Sequence, residues 1–90
     1  MKEREVADFL IGLMETEPAE WRQEGVRYYH KPSGIHVEET WSGRLGVYEL
    51  DHKQSKLLVH RFGWWQNRRV KRAVVDLGRQ LTLLRMKKRG

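Results

Sequence analysis

The residues best suited to chemistry in this sequence are arginines and tryptophans near its carboxyl end. The set comprises Trp64, Trp65, Arg68, Arg69, Lys71, Arg72 and Arg79. On a helix that turns about 100° per residue, Arg68, Arg72 and Arg79 lie within about 40° of one another. Arginine interleaved with aromatic and aliphatic groups is typical of nucleic-acid grooves and of hot spots in protein interfaces. We therefore expect these seven residues to contact either nucleic acid or an acidic host protein.

Two questions about this cluster stay open at the level of sequence. Trp64 and Trp65 either lie on the surface beside the arginines or fold back onto a sheet, which would leave ordinary solvent-exposed cations. The start of the helix also matters. If Asn67 caps it, the cations crowd its positive N-terminal end and favour a bound anion, whereas with Gly63 as the cap they lie a turn further in.

The histidines, serines and carboxylates form no catalytic or metal-binding motif. The four histidines lack the spacing of a helical metal site, and the chain has no cysteine to complete a zinc site. Glu38 and Glu39 are adjacent, so on a strand they point to opposite faces and cannot act as a paired acid and base. None of the serines lies in a Gly-x-Ser-x-Gly elbow. We therefore predict a protein that is not an enzyme, with no catalytic residue, no metal and no cofactor.

The charge is distributed unevenly around a formal net charge of +6. Residues 61–90 hold ten basic side chains and one acidic, whereas residues 1–24 hold three basic and seven acidic. Such asymmetry indicates nucleic acid, an anionic surface or an acidic partner, although a solubilising face has the same composition. No apolar run approaches the ~20 residues that span a bilayer, and the first residues lack a signal peptide's apolar region. We expect a cytoplasmic protein without a membrane partner.

A first amphipathic helix is predicted from about Glu3 to Thr16, where Pro18 prevents its continuation. Its core face is expected to carry Val6, Phe9, Leu10, Leu13 and Met14. Residues 17–24 are then expected to form a connector in which Trp21 plugs the core.

Four strands are predicted to follow as an antiparallel meander: Val26–His30, Ile35–Trp41, Leu45–Leu50 and Lys56–Phe62. The segment Lys31–Gly34 has proline and glycine in the positions that a tight turn requires. Pairing His30 with Ile35 assigns Val26, Tyr28, Ile35, Val37 and Trp41 to the core face, and Arg27, Tyr29, His36 and Glu38 to the other.

The clearest periodicity in the chain predicts a long last helix running to about Lys87. Its apolar stripe, with Ala73 beside it, consists of Val70, Val74, Leu77, Leu81 and Leu84. We expect one domain over residues 1–90 of the α+β class: an N-terminal helix, a four-stranded antiparallel meander and a long C-terminal helix, with the helices packed on one sheet face.

Two families resemble this pattern. The helix–sheet–helix order, with Arg68–Arg72 opening the second helix, resembles the double-stranded-RNA-binding domain, and that resemblance implies phosphate contacts from the helix start. Separately, the segment His30–Ile35, followed by Trp64-Trp65 and Lys71-Arg72-Ala73, is similar to small phage-encoded accessory proteins. This second resemblance implies a protein that binds one host machine, such as a defence or transcription complex. A homodimer through the same face is a third alternative.

Overall fold

The computed structural model describes residues 2–39, 43–50, 55–59 and 61–89 and confirms the α+β class. Helix α1 spans Glu3–Thr16, and a short 3-10 turn follows at Pro18–Glu20. The strands are β1 (Trp21–Glu24), β2 (Arg27–His30), β3 (Ile35–Glu39), β4 (Leu45–Leu50) and β5 (Ser55–Val59), and helix α2 spans Trp64–Arg89. The described residues contain no helix that is long and apolar enough to cross a membrane.

The strands form one antiparallel sheet in chain order, from β1 to β5. The pairs Arg27↔Glu38 and Tyr28↔Val37 set the register that the sequence predicts for the first hairpin. The predicted connector over residues 17–24 is partly wrong, because its second half forms the edge strand β1. Gly25, at φ 61°, makes the tight turn that folds β1 back onto β2.

Both helices pack on one face of the sheet, as predicted, and the core lies between the two layers. Its members in the described residues are Val6, Ala7, Leu10, Met14, Trp21, Ile35, Val37, Leu45, Val47, Phe62, Val70, Val74, Leu77 and Leu81. Two predicted core residues are exposed instead. Phe9 lies on the flank of α1 and is 48% exposed, while Ala7 faces the core. Val26 is 67% exposed and lies in the β1–β2 turn rather than on a strand, so it does not share a sheet face with Tyr28.

The end of the meander differs in detail from the prediction. β5 ends at Val59, and Phe62 is fully buried beyond it rather than within the strand. The predicted strand residue Trp41 and the turn before β5 lie outside the described residues.

The inner stripe of α2 is confirmed: Val70, Val74, Leu77 and Leu81 are buried, with Leu84 packed half-buried beside them. The helix starts just after Gly63 rather than at Asn67. The Asn67 N–H donates to the Gly63 carbonyl at 2.8 Å, which is an intrahelical bond, and its side-chain Oδ1 accepts from the Leu45 N–H at 2.7 Å. The Asn67 side chain therefore links α2 to the start of β4 by a hydrogen bond.

Candidate partner-binding face on the last helix

The outer side of α2 carries a mixed surface that we call the Arg–Trp face. It consists of Trp64, Trp65, Arg68, Arg72, Val75, Arg79, Leu83 and Met86, all of them exposed. These positions lie roughly opposite the inner stripe on a 3.6-residue helix. The packing that fixes the inner stripe against the sheet therefore turns this set toward solvent.

The two tryptophans are surface residues. Trp64 is 59% exposed and Trp65 67%, with ring centroids 4.6 Å apart in an edge-on arrangement. The side chains buried at this end of α2 are Phe62, just before the helix, and Val70, on its inner side. The alternative in which the tryptophans fold back onto the sheet is wrong.

Four of the predicted contact cations are exposed and uncompensated. Arg68, Lys71, Arg72 and Arg79 make no ion pair with any described residue. Asp76 lies on the same helix, yet it pairs with none of them. These four cations therefore lack a direct counter-charge among the described residues.

Arg69 is held differently from its neighbours. Its Nη2 lies 2.6 Å from Asp8 Oδ1 on α1, and its Nη1 donates to Gln66 Oε1 at 2.7 Å. The guanidinium is thus directed toward α1, away from the Arg–Trp face. Arg69 joins the two helices, a role that local spacing does not indicate because Asp8 is sixty-one positions away.

The positive end of α2 already has an anion from within the chain. The Glu3 carboxylate accepts the N–H of Gly63, immediately before the helix. Because the helix begins at Trp64, Arg68 lies more than one turn inside it. The helix dipole therefore provides no separate argument for anion binding at this cluster.

An open groove of ≈ 700 Å³ lies beside the Arg–Trp face. Val75, Arg79 and Leu83 form its α2 side, and Gln23 and Tyr28 form its sheet side. A Cβ added at Gly78 would lie 3.1 Å from the Tyr28 hydroxyl, so the glycine allows this close approach of helix and sheet. Burial raises the pKa of Tyr28, which stays neutral. The groove depends on β1, which the sequence did not predict.

One side-chain set resembles a hydrolytic triad. Buried His30 contacts Ser33 Oγ at 2.7 Å through Nδ1, and its Nε2 lies 3.4 Å from Glu17 Oε2 without a hydrogen bond. The amides after Ser33 are both engaged, since Gly34 N–H donates to the His30 carbonyl and Ile35 N–H to Ser33 Oγ. Neither amide is free to stabilise an oxyanion. The set orders the β2–β3 turn.

A second histidine, His36, lies on the sheet face opposite the helices. Its ring stacks on Tyr48 with centroids 5.1 Å apart and an interplanar angle of 11°. His36 is only 3% exposed, and its Nδ1 has no hydrogen-bond partner among the described atoms. Burial lowers the pKa of His36, nearby Arg27 lowers it further, and Glu38 acts in the opposite direction.

No cluster of three metal-ligating side chains occurs among the residues that the structure describes. Comparison of the chain with protein-family models, curated proteins and solved structures finds no match. The function is therefore inferred from the geometry of the Arg–Trp face.

Proposed function

We propose that this protein is a non-enzymatic binding protein whose Arg–Trp face contacts nucleic acid, mainly through phosphates. The observation that carries the proposal is the set of uncompensated cations on one exposed side of α2. Arg68 and Arg79 are eleven residues apart, so they are about 16 Å apart along the helix axis. That length matches several phosphates of a nucleic-acid backbone.

The exposed tryptophans support the same function. Trp64 and Trp65 present two large rings at the end of the cationic row. Indole rings stack on unpaired bases at about 1–3 kcal/mol per base, without sequence preference. An arginine row with aromatic rings at one end therefore suits a duplex with a single-stranded end, or a single strand.

The direct test is binding to labelled duplex and single-stranded oligonucleotides of mixed sequence, followed by fluorescence anisotropy. We expect Arg68→Ala/Arg72→Ala/Arg79→Ala to weaken binding at least tenfold, because three phosphate contacts are lost. Arg22→Ala/Arg27→Ala/Lys31→Ala is the matched control, since it removes the same number of exposed cations from β1, β2 and the turn after β2. Equal loss in both variants would show non-specific charge binding and contradict the proposal.

The second candidate function is binding of an acidic host protein by the same face. The observation that favours it is the exposed apolar surface next to the arginines, where Val75 is 49% and Leu83 54% exposed and both line the groove. Protein hot spots combine such desolvated apolar anchors with arginine. The adaptor or inhibitor role that the phage resemblance implies stays a prediction.

Pull-down from a host lysate, with and without nuclease treatment, separates the two candidates. Capture that nuclease abolishes supports nucleic acid. Capture that survives nuclease, but is lost in Val75→Ser/Leu83→Ser, supports a protein partner, since serine removes the apolar anchors and leaves the charges. Both substitutions are at exposed positions, where effects on folding are small.

A further inference from the structure

The outer surface of the two-helix layer is unusually apolar. Among the residues whose burial the structure describes (2–39, 43–48 and 61–87), seven large hydrophobic side chains are exposed: Phe9 is on α1, five are on α2, and Val26 is in the β1–β2 turn. The five on α2 are Trp64, Trp65, Val75, Leu83 and Met86. Apolar groups gathered on one side of a small domain indicate a surface that is covered in the working assembly.

The same surface is divided into an acidic and a basic half. The outer side of α1 exposes three carboxylates, Glu5, Asp8 and Glu15, and one cation, Arg4, so it is acidic on balance, and a Cβ added at Gly12 would meet no atom within 4 Å. The outer side of α2 exposes the arginines of the Arg–Trp face. One surface therefore contains both members of a complementary charge pair, which is the property that a self-associating surface requires.

The two helices run side by side in the same direction. The Glu3 carboxylate contacts Gly63, Asp8 pairs with Arg69, and Glu15 and Asp76 line one cavity further along. Consider a two-fold axis that is parallel to the helices and lies above the layer. It places α1 of each copy over α2 of the other, so the dimer contains two equivalent α1–α2 contacts.

We propose that this protein forms a two-fold symmetric homodimer in which the acidic outer side of α1 in each copy packs on the Arg–Trp face of its partner. Asp8 and Arg69 lie at one height, and a helix rises about 1.5 Å per residue. Glu5 of one copy therefore lies within about a turn of Arg68 in the other, and Glu15 within about a turn of Arg79. Burial of the apolar side chains supplies most of the affinity, while the charge pairs set the alignment.

The dimer goes beyond nucleic-acid binding and does not depend on it. It covers the Arg–Trp face, so a nucleic acid and a second copy compete for one surface. Added oligonucleotide then converts dimer to monomer with the nucleic acid bound. The dimer itself is measured without oligonucleotide.

The test is sedimentation equilibrium of the full, nuclease-treated chain over a range of protein concentrations. We expect a reversible dimer whose dissociation constant rises with salt. Glu5→Lys/Glu15→Lys and Arg68→Glu/Arg79→Glu should each raise that constant at least tenfold, because each makes both contacts repulsive. Arg22→Glu/Arg27→Glu and Glu24→Lys/Glu38→Lys, at the two ion pairs of β1, β2 and β3, reverse the same number of charges; they are the matched controls and should leave it unchanged. Circular dichroism checks that all variants fold.

Mixing the two double variants gives the decisive result. Each has like charges on both helices, so each repels itself, whereas the mixed pair regains attraction at both contacts. We expect the mixture to form a heterodimer of near wild-type affinity. A wild-type chain that stays monomeric, a mixture that stays monomeric, or control variants that dissociate equally would each overturn the proposal.

The failure of the dimer is distinguishable from the failure of the proposed function. Glu5→Lys/Glu15→Lys leaves the Arg–Trp face intact and exposed, so this variant should lose dimerisation and bind oligonucleotide at least as well as the wild type. If it dimerises normally, the dimer interface is wrong. If it is monomeric but binds no oligonucleotide, the nucleic-acid function is wrong.

Discussion

The inner and outer sides of α2 come from the same stretch of chain and end in opposite environments. On the inner side, Val70 and Leu77 are at most 1% exposed and contact α1 and the sheet. On the outer side, Arg72 and Arg79 are exposed without ion pairs among the described residues, and Trp65 is 67% exposed. The side chains of the inner side are thus packed within the chain, whereas those of the outer side remain exposed. This difference separates residues that hold the fold from residues available to a partner.

The largest expected effect comes from the inner side. Leu77→Ala should lower the free energy of unfolding by about 2–5 kcal/mol, because it leaves a cavity where a fully buried side chain packed. Chemical denaturation monitored by circular dichroism measures this loss. Leu81→Ala, on the same stripe, should lower the free energy of unfolding by an amount in the same range. A loss below about 0.5 kcal/mol would be typical of a surface position and would contradict the assignment of the inner side.

A smaller effect concerns pH and the open face of the sheet. The pKa of His36 is lowered in the folded protein, so the unfolded chain takes up a proton more readily. Its contribution to stability is therefore complete above the ordinary histidine pKa of about 6.5 and is lost as the pH falls below that value. Thermal unfolding at about pH 7.5 and about pH 5.5 measures the loss.

The matched variant for this test is His36→Phe, which keeps a ring over Tyr48 and removes the titrating group. The decrease in Tm between the two pH values should be smaller in the variant than in the wild type. An equal decrease in both would assign the acid sensitivity to other groups.

A still smaller effect is expected where the two helices are joined. Asp8→Asn removes the ion pair with Arg69, and both side chains are about half exposed. Exposed pairs contribute about 0.2–1 kcal/mol, so the substitution should lower the free energy of unfolding by an amount in that range. Glu20→Gln is the control, since Glu20 is an exposed carboxylate just after α1, outside the proposed dimer surface and without an ion pair among the described residues. If the control loses as much, the Asp8 to Arg69 pair contributes nothing particular.

The smallest effect on stability belongs to the outer side. Arg72→Ala and Arg79→Ala should change the free energy of unfolding by no more than about 0.5 kcal/mol, because neither side chain has a partner that the fold requires. Parallel denaturation of these variants and Leu77→Ala compares the two sides directly. Unfolding of the arginine variants alone would mean that the two sides are assigned the wrong way round.

The sequence predicted those features that depend on local periodicity. The 4-3-4-3 spacing identified the inner stripe of α2, and the Lys31–Gly34 turn identified the register of β2 and β3. It did not predict β1, because four residues with alternating polarity carry too little periodic signal. Phe9 was misplaced for a related reason: it lies at the border of the apolar arc, and only packing against α2 decides which side of the border is covered.

The candidate site was predicted in composition but not in its contacts. The exposure of Trp64 and Trp65 depends on where α2 begins and on how its inner stripe packs, and Phe62, buried just before the helix, was assigned to a strand. The engagement of Arg69 and Asn67 depends on Asp8 and Leu45, which are distant in the chain. Long-range partners of polar side chains cannot be read from spacing.

The most direct test of the central claim, that the outer side of α2 binds phosphates, is the salt dependence of duplex binding. With Arg68, Arg72 and Arg79 of the Arg–Trp face and Lys71 beside it as contacts, the logarithm of the binding constant should fall with the logarithm of salt at a slope of about −3 to −4. Arg72→Ala/Arg79→Ala should reduce the steepness of that slope by about 2, since two phosphate contacts are lost. A wild-type slope near zero, or an unchanged slope in the variant, would contradict the claim.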